Sequence, residues 1–159
     1  MLITIAAIGK IAAGPERELV ERFMKRAEAS GRGLGLTFAS RELPESRAAT
    51  AELRKQQEGK ALLAALPAGA PLVVLDEAGK NLTSRDFAGR IAAWRDGGQA
   101  NLAILIGGPD GHARDLLGAA ALKIALGSMT WPHQLVRVML AEQLYRTVTI
   151  LSGHPYHRD

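Results

Sequence analysis

The sequence predicts an α/β fold, a mainly parallel sheet flanked by helices, and three observations carry that prediction. Short apolar runs of four to seven residues alternate with longer amphipathic segments along the chain. Residues 72–75, between Pro71 and Asp76, and residues 102–106 are apolar throughout, as strands covered on both faces are. Strand and helix signals alternate rather than segregate, the order that βαβ units produce.

The first strand is Leu2–Ile8, a β-rich apolar run ending at Gly9. Gly14-Pro15 opens a helix over residues 16–29, with Pro near the first turn, where its missing N–H has no intrahelical partner to lose. Leu19, Val20, Phe23 and Ala27 recur on one face of it. Gly31 and Gly33 close that helix, and residues 34–38 read as the second strand. Residues 44–66 carry a second helix with a charged middle directed to water. Residues 72–75 form a third strand between Pro71 and Asp76, and residues 76–81 read as loop.

Thr83 or Ser84 caps the next helix, which runs to about residue 95, and Asp86 sits where the helix dipole favours an anion. Asp96-Gly-Gly98 terminates it. Residues 102–106 are a fourth strand, 113–121 a helix, 123–126 a brief strand and 132–150 the last helix. No repeat, linker or low-complexity tract interrupts this pattern, so a single domain over residues 1–159 is expected.

Composition sets the outer limits. Of 159 residues, 47% are hydrophobic and 23% charged, enough for a full core in an ordinary soluble domain. No apolar run approaches the roughly 18 residues of a membrane span. The apolar start has no basic residue before it and runs into Lys10, so it reads as a strand rather than a signal peptide. A cytosolic protein is expected. The absence of cysteine excludes disulfides, thiolate metal sites and cysteine nucleophiles. A net charge of +4 suits a polyanionic partner without the dense basic tracts that specify nucleic acid.

Ligands of open α/β sheets bind outside the carboxyl ends of the strands, and three loops stand there. They are Asp76-Glu-Ala-Gly-Lys80, Gly107-Gly-Pro-Asp-Gly-His112 and Gly127-Ser-Met-Thr-Trp-Pro-His133. The second is rich in glycine and lets backbone amides approach a ligand, or simply makes a tight turn. It is neither a phosphate-binding G-x-x-x-x-G-K-[ST] loop nor a dinucleotide fingerprint. The third places polar Ser128 and Thr130 beside large apolar Met129 and Trp131, a mixture suited to holding a flat heterocycle.

The last helix carries Leu135, Val136, Val138, Met139, Leu140, Ala141, Leu144, Tyr145 and Val148 around more than half of its circumference. A helix this apolar is covered on several sides, and a second subunit is the expected source, giving a homodimer. The tail, Ser152-Gly-His-Pro-Tyr-His-Arg-Asp159, gathers two imidazoles, a phenol and a guanidinium, groups that stack on bases, contact phosphate and exchange protons. A solvated tail and a structural cap on the sheet are the alternatives. His154-x-x-His157 lacks further ligands nearby, and no metal is expected.

Taken in order, Leu75-Asp76 with Gly79-Lys80, Leu105-Ile-Gly-Gly-Pro-Asp-Gly111, Met129-Thr-Trp-Pro-His133, Arg137-Val138 with Glu142-Gln-Leu-Tyr-Arg146, and His154-Pro-Tyr-His-Arg158 resemble the RlmH family of SPOUT methyltransferases. The resemblance spans nearly the whole chain; the first 60 residues match by pattern more than by identity. It implies a minimal SPOUT domain with a C-terminal trefoil knot, acting as a dimer. It implies methylation by S-adenosylmethionine of N3 of a pseudouridine in an interface stem-loop of 23S ribosomal RNA, on assembled ribosomes. Carried over position by position, the cofactor site comprises Leu75, Gly107, Leu126, Gly127, Ser128, Met129, Thr130 and Trp131.

The imide nitrogen N3 must lose a proton, and His157 is the first candidate for the base, with Tyr156 the weaker one. Arg158 is expected to hold phosphate or the imidate oxygen. The tail of one subunit is expected to approach the cofactor of the other. Lys10, Arg17, Arg22, Lys25 and Arg26 are candidates for phosphate contacts, against the plain reading of solvated helix charge. A related knotted transfer-RNA methyltransferase, a non-enzymatic ribosome-binding factor and a flavodoxin-like nucleotide-binding protein are the alternatives.

Overall fold

A computed structural model describes residues 1–158; Asp159, the last position of the expected domain, lies outside them. Its strands are β1 (Leu2–Ile8), β2 (Thr37–Leu43), β3 (Leu72–Asn81), β4 (Asn101–Ile106) and β5 (Leu122–Ala125). The helices are α1 (Pro15–Gly31), α2 (Ala51–Ala64), α3 (Ser84–Asp96), α4 (Arg114–Ala119) and α5 (His133–Leu151). The strands form one sheet in the order β2-β1-β4-β3-β5, and every pairing is parallel.

The apolar runs alternate between two covered faces. Ile3, Val73, Leu102 and Ile104 pack with Phe87 and Ile91 of α3 and with Leu140, Leu144 and Val148 of α5. Ala6, Ile8, Val74, Ala103 and Leu105 pack on the other face against Leu62 of α2 and Leu116 of α4. Ile104 and Leu105 are wholly enclosed although they are chain neighbours, which is why β4 shows no polar alternation. Burying each such side chain contributes about 1.5–3 kcal/mol.

Three boundaries differ from the sequence expectation. The second strand is shifted from residues 34–38 and shares only residues 37 and 38 with them. Arg32–Leu34 is a turn of 3-10 helix, Gly35 follows at φ 69°, and the strand begins at Thr37. The register on β1, Leu2 beside Thr37 to Ile8 beside Leu43, fixes it, and this edge strand is too exposed to show an apolar run. The second helix begins at Ala51 rather than near residue 44, because Thr50 caps it by accepting from the Leu53 N–H at 3.2 Å.

The third difference bears on the site. Residues 76–81 belong to β3 and do not form a simple loop. Leu75 and Lys80 both pair with Ile124, so the intervening residues bulge from the ladder before Asn81 pairs with Ala125. Gly79 passes so close to β5 that an added Cβ would stand 2.5–2.8 Å from the Ile124 backbone. Only glycine fits there.

Helix α5 packs against both α1 and α3, so much of the cover its apolar surface requires comes from within the chain. Leu135 remains 37% exposed at its start. Arg137, buried on α5, donates to Glu42 at 2.7 Å and to the carbonyls of Ile8 and Gly9 at 2.8 and 2.6 Å. It ties the helix to the carboxyl end of β1. Among the described residues no helix is long and apolar enough to cross a membrane.

Candidate active site at the strand-end loops

Parallel pairing brings the three predicted loops to one edge of the sheet. Leu75 is level with Ile106 on one side and Ile124 on the other, so the segments after Ile106 and Ala125 leave the sheet beside the bulge that follows Leu75. Hydrogen bonds then join them. The Asn81 side-chain oxygen accepts from the Gly127 N–H at 3.0 Å, and His133 Nε2 lies 2.7 Å from the Gly107 carbonyl oxygen. Trp131 closes the third loop on itself by donating from Nε1 to the Leu126 carbonyl at 2.9 Å. Gly127 takes φ 110°, a left-handed conformation that favours glycine and turns the backbone sharply out of β5.

The second loop is held tightly. Gly108 and Gly111 bridge each other. A Cβ at Gly107 would meet Gly111 and the His112 ring at about 3.1 Å, and one at Gly108 would meet Glu58 Oε2 at 2.7 Å. Outside the turn, Asp110 receives two hydrogen bonds from Arg54, and these hold its carboxyl below the usual carboxylate range.

His112 is 7% exposed, and its Nε2 has no hydrogen-bond partner among the described residues. Burial pushes the imidazole below its ordinary range, while the Asp76 charge and a backbone hydrogen bond with Leu75 pull the other way.

Of the residues assigned to the cofactor, Leu126 and Gly127 also line a cleft of about 550 Å³. Apolar Phe23, Phe87, Ile124, Val138 and Met139 form much of it, with Asn81, Thr83, Ser84, Glu142 and Gln143 as its polar groups. That size is within the range of small-molecule sites. Leu75, Gly107 and Ser128–Trp131 stand at the loops beside the cleft rather than in its lining, with Met129 73% exposed and Trp131 41%.

The tail folds back onto α5 and α1. Tyr156 packs against Tyr145 at a tilt of 58°, with ring centres 4.7 Å apart, and donates its hydroxyl to Glu142 at 3.0 Å. Burial and that hydrogen bond raise the phenol above its ordinary range. Arg146 donates to the same carboxylate from Nε and Nη2, at 3.0 and 2.5 Å. Its Nη1 lies 3.1 Å from His157 Nδ1. A guanidinium only donates, so His157 Nδ1 is the acceptor in that bond. Arg158 is exposed at the end of the described chain.

Glu142 thus both lines the cleft and anchors the tail. The sequence shows Glu142 and Arg146 only as a helical pair. Asn81, His112 and His133 go unassigned from sequence, although His112 and His133 close the second and third loops by position. Their partners lie tens of residues away, beyond any local spacing rule. Among the described residues no group of three or more His, Asp or Glu is placed to hold a metal ion.

A family model described as "Predicted SPOUT methyltransferase" matches residues 1–157. A protein of Xanthobacter autotrophicus named ribosomal RNA large subunit methyltransferase H is 57% identical over 99% of both chains. Proteins of the same name from Brucella anthropi and a Chelativorans species are each 54% identical. The first match covers all of both chains, the second 99% of this chain and 91% of the relative. Identity at this level over the full length shows that the chain belongs to the RlmH family of SPOUT methyltransferases.

Proposed function

We propose that the protein is a 23S ribosomal RNA methyltransferase that moves the methyl group of S-adenosylmethionine to N3 of a pseudouridine in the interface stem-loop of the large subunit. It acts on assembled ribosomes, in the cytoplasm, as a homodimer with a C-terminal trefoil knot. The observation that carries the reading is the convergence of the three strand-end loops beside a cleft that ends at the tail's anchor, Glu142. The named relatives support the ribosomal substrate. The exposed apolar Met129, Trp131 and Leu135 support cover by a second subunit.

The residues fit the cofactor. Gly107 sits where a Cβ would crowd the loop, His112 leaves a buried nitrogen without a partner, and the loops offer backbone groups beside large apolar side chains. When bound there, S-adenosylmethionine supplies an electrophilic methyl carbon on a sulfonium. Leu75, Gly107 and the run from Leu126 to Trp131 hold and orient it, and positioning alone supplies a large part of such a transfer.

The protein's remaining task is the proton on N3. His157 takes it, and because Arg146 occupies Nδ1, proton uptake at that atom accompanies release of Arg146. Tyr156 holds its proton and serves as the strap that keeps His157 near Arg146. Arg158 contacts phosphate or the imidate oxygen. Labelled methyl transfer from S-adenosylmethionine tests the assignment when assembled ribosomes, free 23S RNA and transfer RNA are offered in parallel. Label on assembled ribosomes alone is the expected result. Label on transfer RNA favours the related knotted enzyme, and cofactor binding without label on any RNA removes this substrate.

A further inference from the structure

Most arginines with a visible partner in this protein are ion-paired: Arg54 with Asp110, Arg95 with Asp96, Arg137 with Glu42 and Arg146 with Glu142. Arg22 and Arg26 of α1 are not. Both are exposed, and among the described residues neither has a carboxylate within salt-bridge distance. Each instead lies against an aromatic ring. Arg26 sits 4.3 Å from the centre of Tyr145 and 5.7 Å from that of Tyr156, and Arg22 sits 5.6 Å from the centre of Phe23.

This arrangement has a specific consequence. A guanidinium held over the face of a ring is attracted by the ring's electron density, yet that contact consumes none of its N–H donors. It keeps its charge, its order and its hydrogen-bonding capacity at once. Four residues apart on a helix, Arg22 and Arg26 share a face. The second ring under Arg26 belongs to the tail, so that face continues into Tyr156, Arg146 and His157. Ordered cations interleaved with aromatic rings are what a nucleic-acid backbone and unstacked bases require.

We infer that Arg22 and Arg26, set on Phe23, Tyr145 and Tyr156, form an RNA-backbone clamp that holds the target strand against the C-terminal tail. The inference rests on the proposed RNA substrate and adds to it the surface of contact. It also gives α1 a role in substrate binding.

Binding of the wild-type protein to purified ribosomes lacking the modification, measured across a potassium chloride series, supplies the test. Arg26→Ala and the double variant Arg22→Ala/Arg26→Ala are compared with it. Each lost phosphate contact is expected to weaken binding about tenfold and to lower the salt slope by about 0.7–0.9. Affinity for S-adenosylhomocysteine, measured on the same samples, is expected to stay unchanged. Arg26→Lys is expected to preserve the slope while losing affinity, since it keeps charge without the planar guanidinium. Unchanged ribosome affinity and slope in the double variant overturn the inference. So does a change in sedimentation mass at unchanged ribosome affinity, which assigns the face to subunit contact. Wild-type protein that binds S-adenosylhomocysteine but no ribosome overturns the RNA substrate itself, and the clamp with it.

Discussion

Tyr156 donates its hydroxyl to Glu142, 3.0 Å away, and this bond joins the C-terminal tail to the helix that lines the cleft. Because Arg146 shares that carboxylate and also contacts His157, the three tail-proximal groups form one network. Placement of His157 therefore depends on a residue that has no need to exchange a proton itself.

Tyr156→Phe removes one hydrogen bond and leaves the ring contact with Tyr145. Single-turnover methyl transfer is expected to slow about tenfold, matching about 1.4 kcal/mol for a bond to a charged acceptor. Calorimetric affinity for S-adenosylhomocysteine is expected to remain within about twofold. Equal loss in both would make the tail part of the cofactor site.

Gly79→Ala places a methyl group 2.5–2.8 Å from the Ile124 backbone. Neither strand has a flexible side chain that can yield there. We expect a loss of about 3 kcal/mol or more, the upper range of overpacking, seen as a lower denaturation midpoint with an unchanged slope.

Arg137→Ala strips partners from Glu42 and from the Ile8 and Gly9 carbonyls at one stroke. Leaving a buried acceptor without its donor costs about 1–3 kcal/mol, and Glu42, being partly exposed, adds less. Thermal unfolding is the measurement, and Arg137→Lys is expected to recover only part of the loss, because one ammonium cannot span three acceptors in the guanidinium's geometry.

His112 contributes a pH dependence of known sign. Its folded-state pKa lies below the ordinary imidazole value of 6.5. Between the two values the unfolded chain binds more protons than the folded one, so stability falls as pH drops below about 6.5. The slope for this single group is at most about 1.4 kcal/mol per pH unit. Asp76 is the charge that opposes it. His112→Leu is expected to flatten the profile in that window when urea midpoints are followed from neutral pH downward.

Legibility from sequence followed burial. β1 and β4 stand out because both faces are covered and nearly every residue is apolar. β2 is an exposed edge whose position is dictated by register on β1, a constraint no local window contains. The extension of β3 through residues 76–81 is polar and glycine-rich, so it reads as loop until β5 is beside it. The three site loops were visible because glycine, proline and mixed polar–apolar composition mark strand ends. The bonds that assemble them join residues far apart in the chain, Asn81 with Gly127 and Gly107 with His133, and arise only from the parallel order of the sheet. The tail's chemistry was legible in composition; its attachment through Glu142 was not.

The most direct test of the central claim is to incubate the protein with S-adenosylmethionine and assembled ribosomes lacking the modification, then locate the new methyl group by nuclease digestion and mass spectrometry. One added methyl is expected, on N3 of a pseudouridine in the interface stem-loop of 23S RNA, absent when His157→Ala protein is used. A methyl group on another nucleotide, or full transfer by the His157→Ala protein, would contradict it.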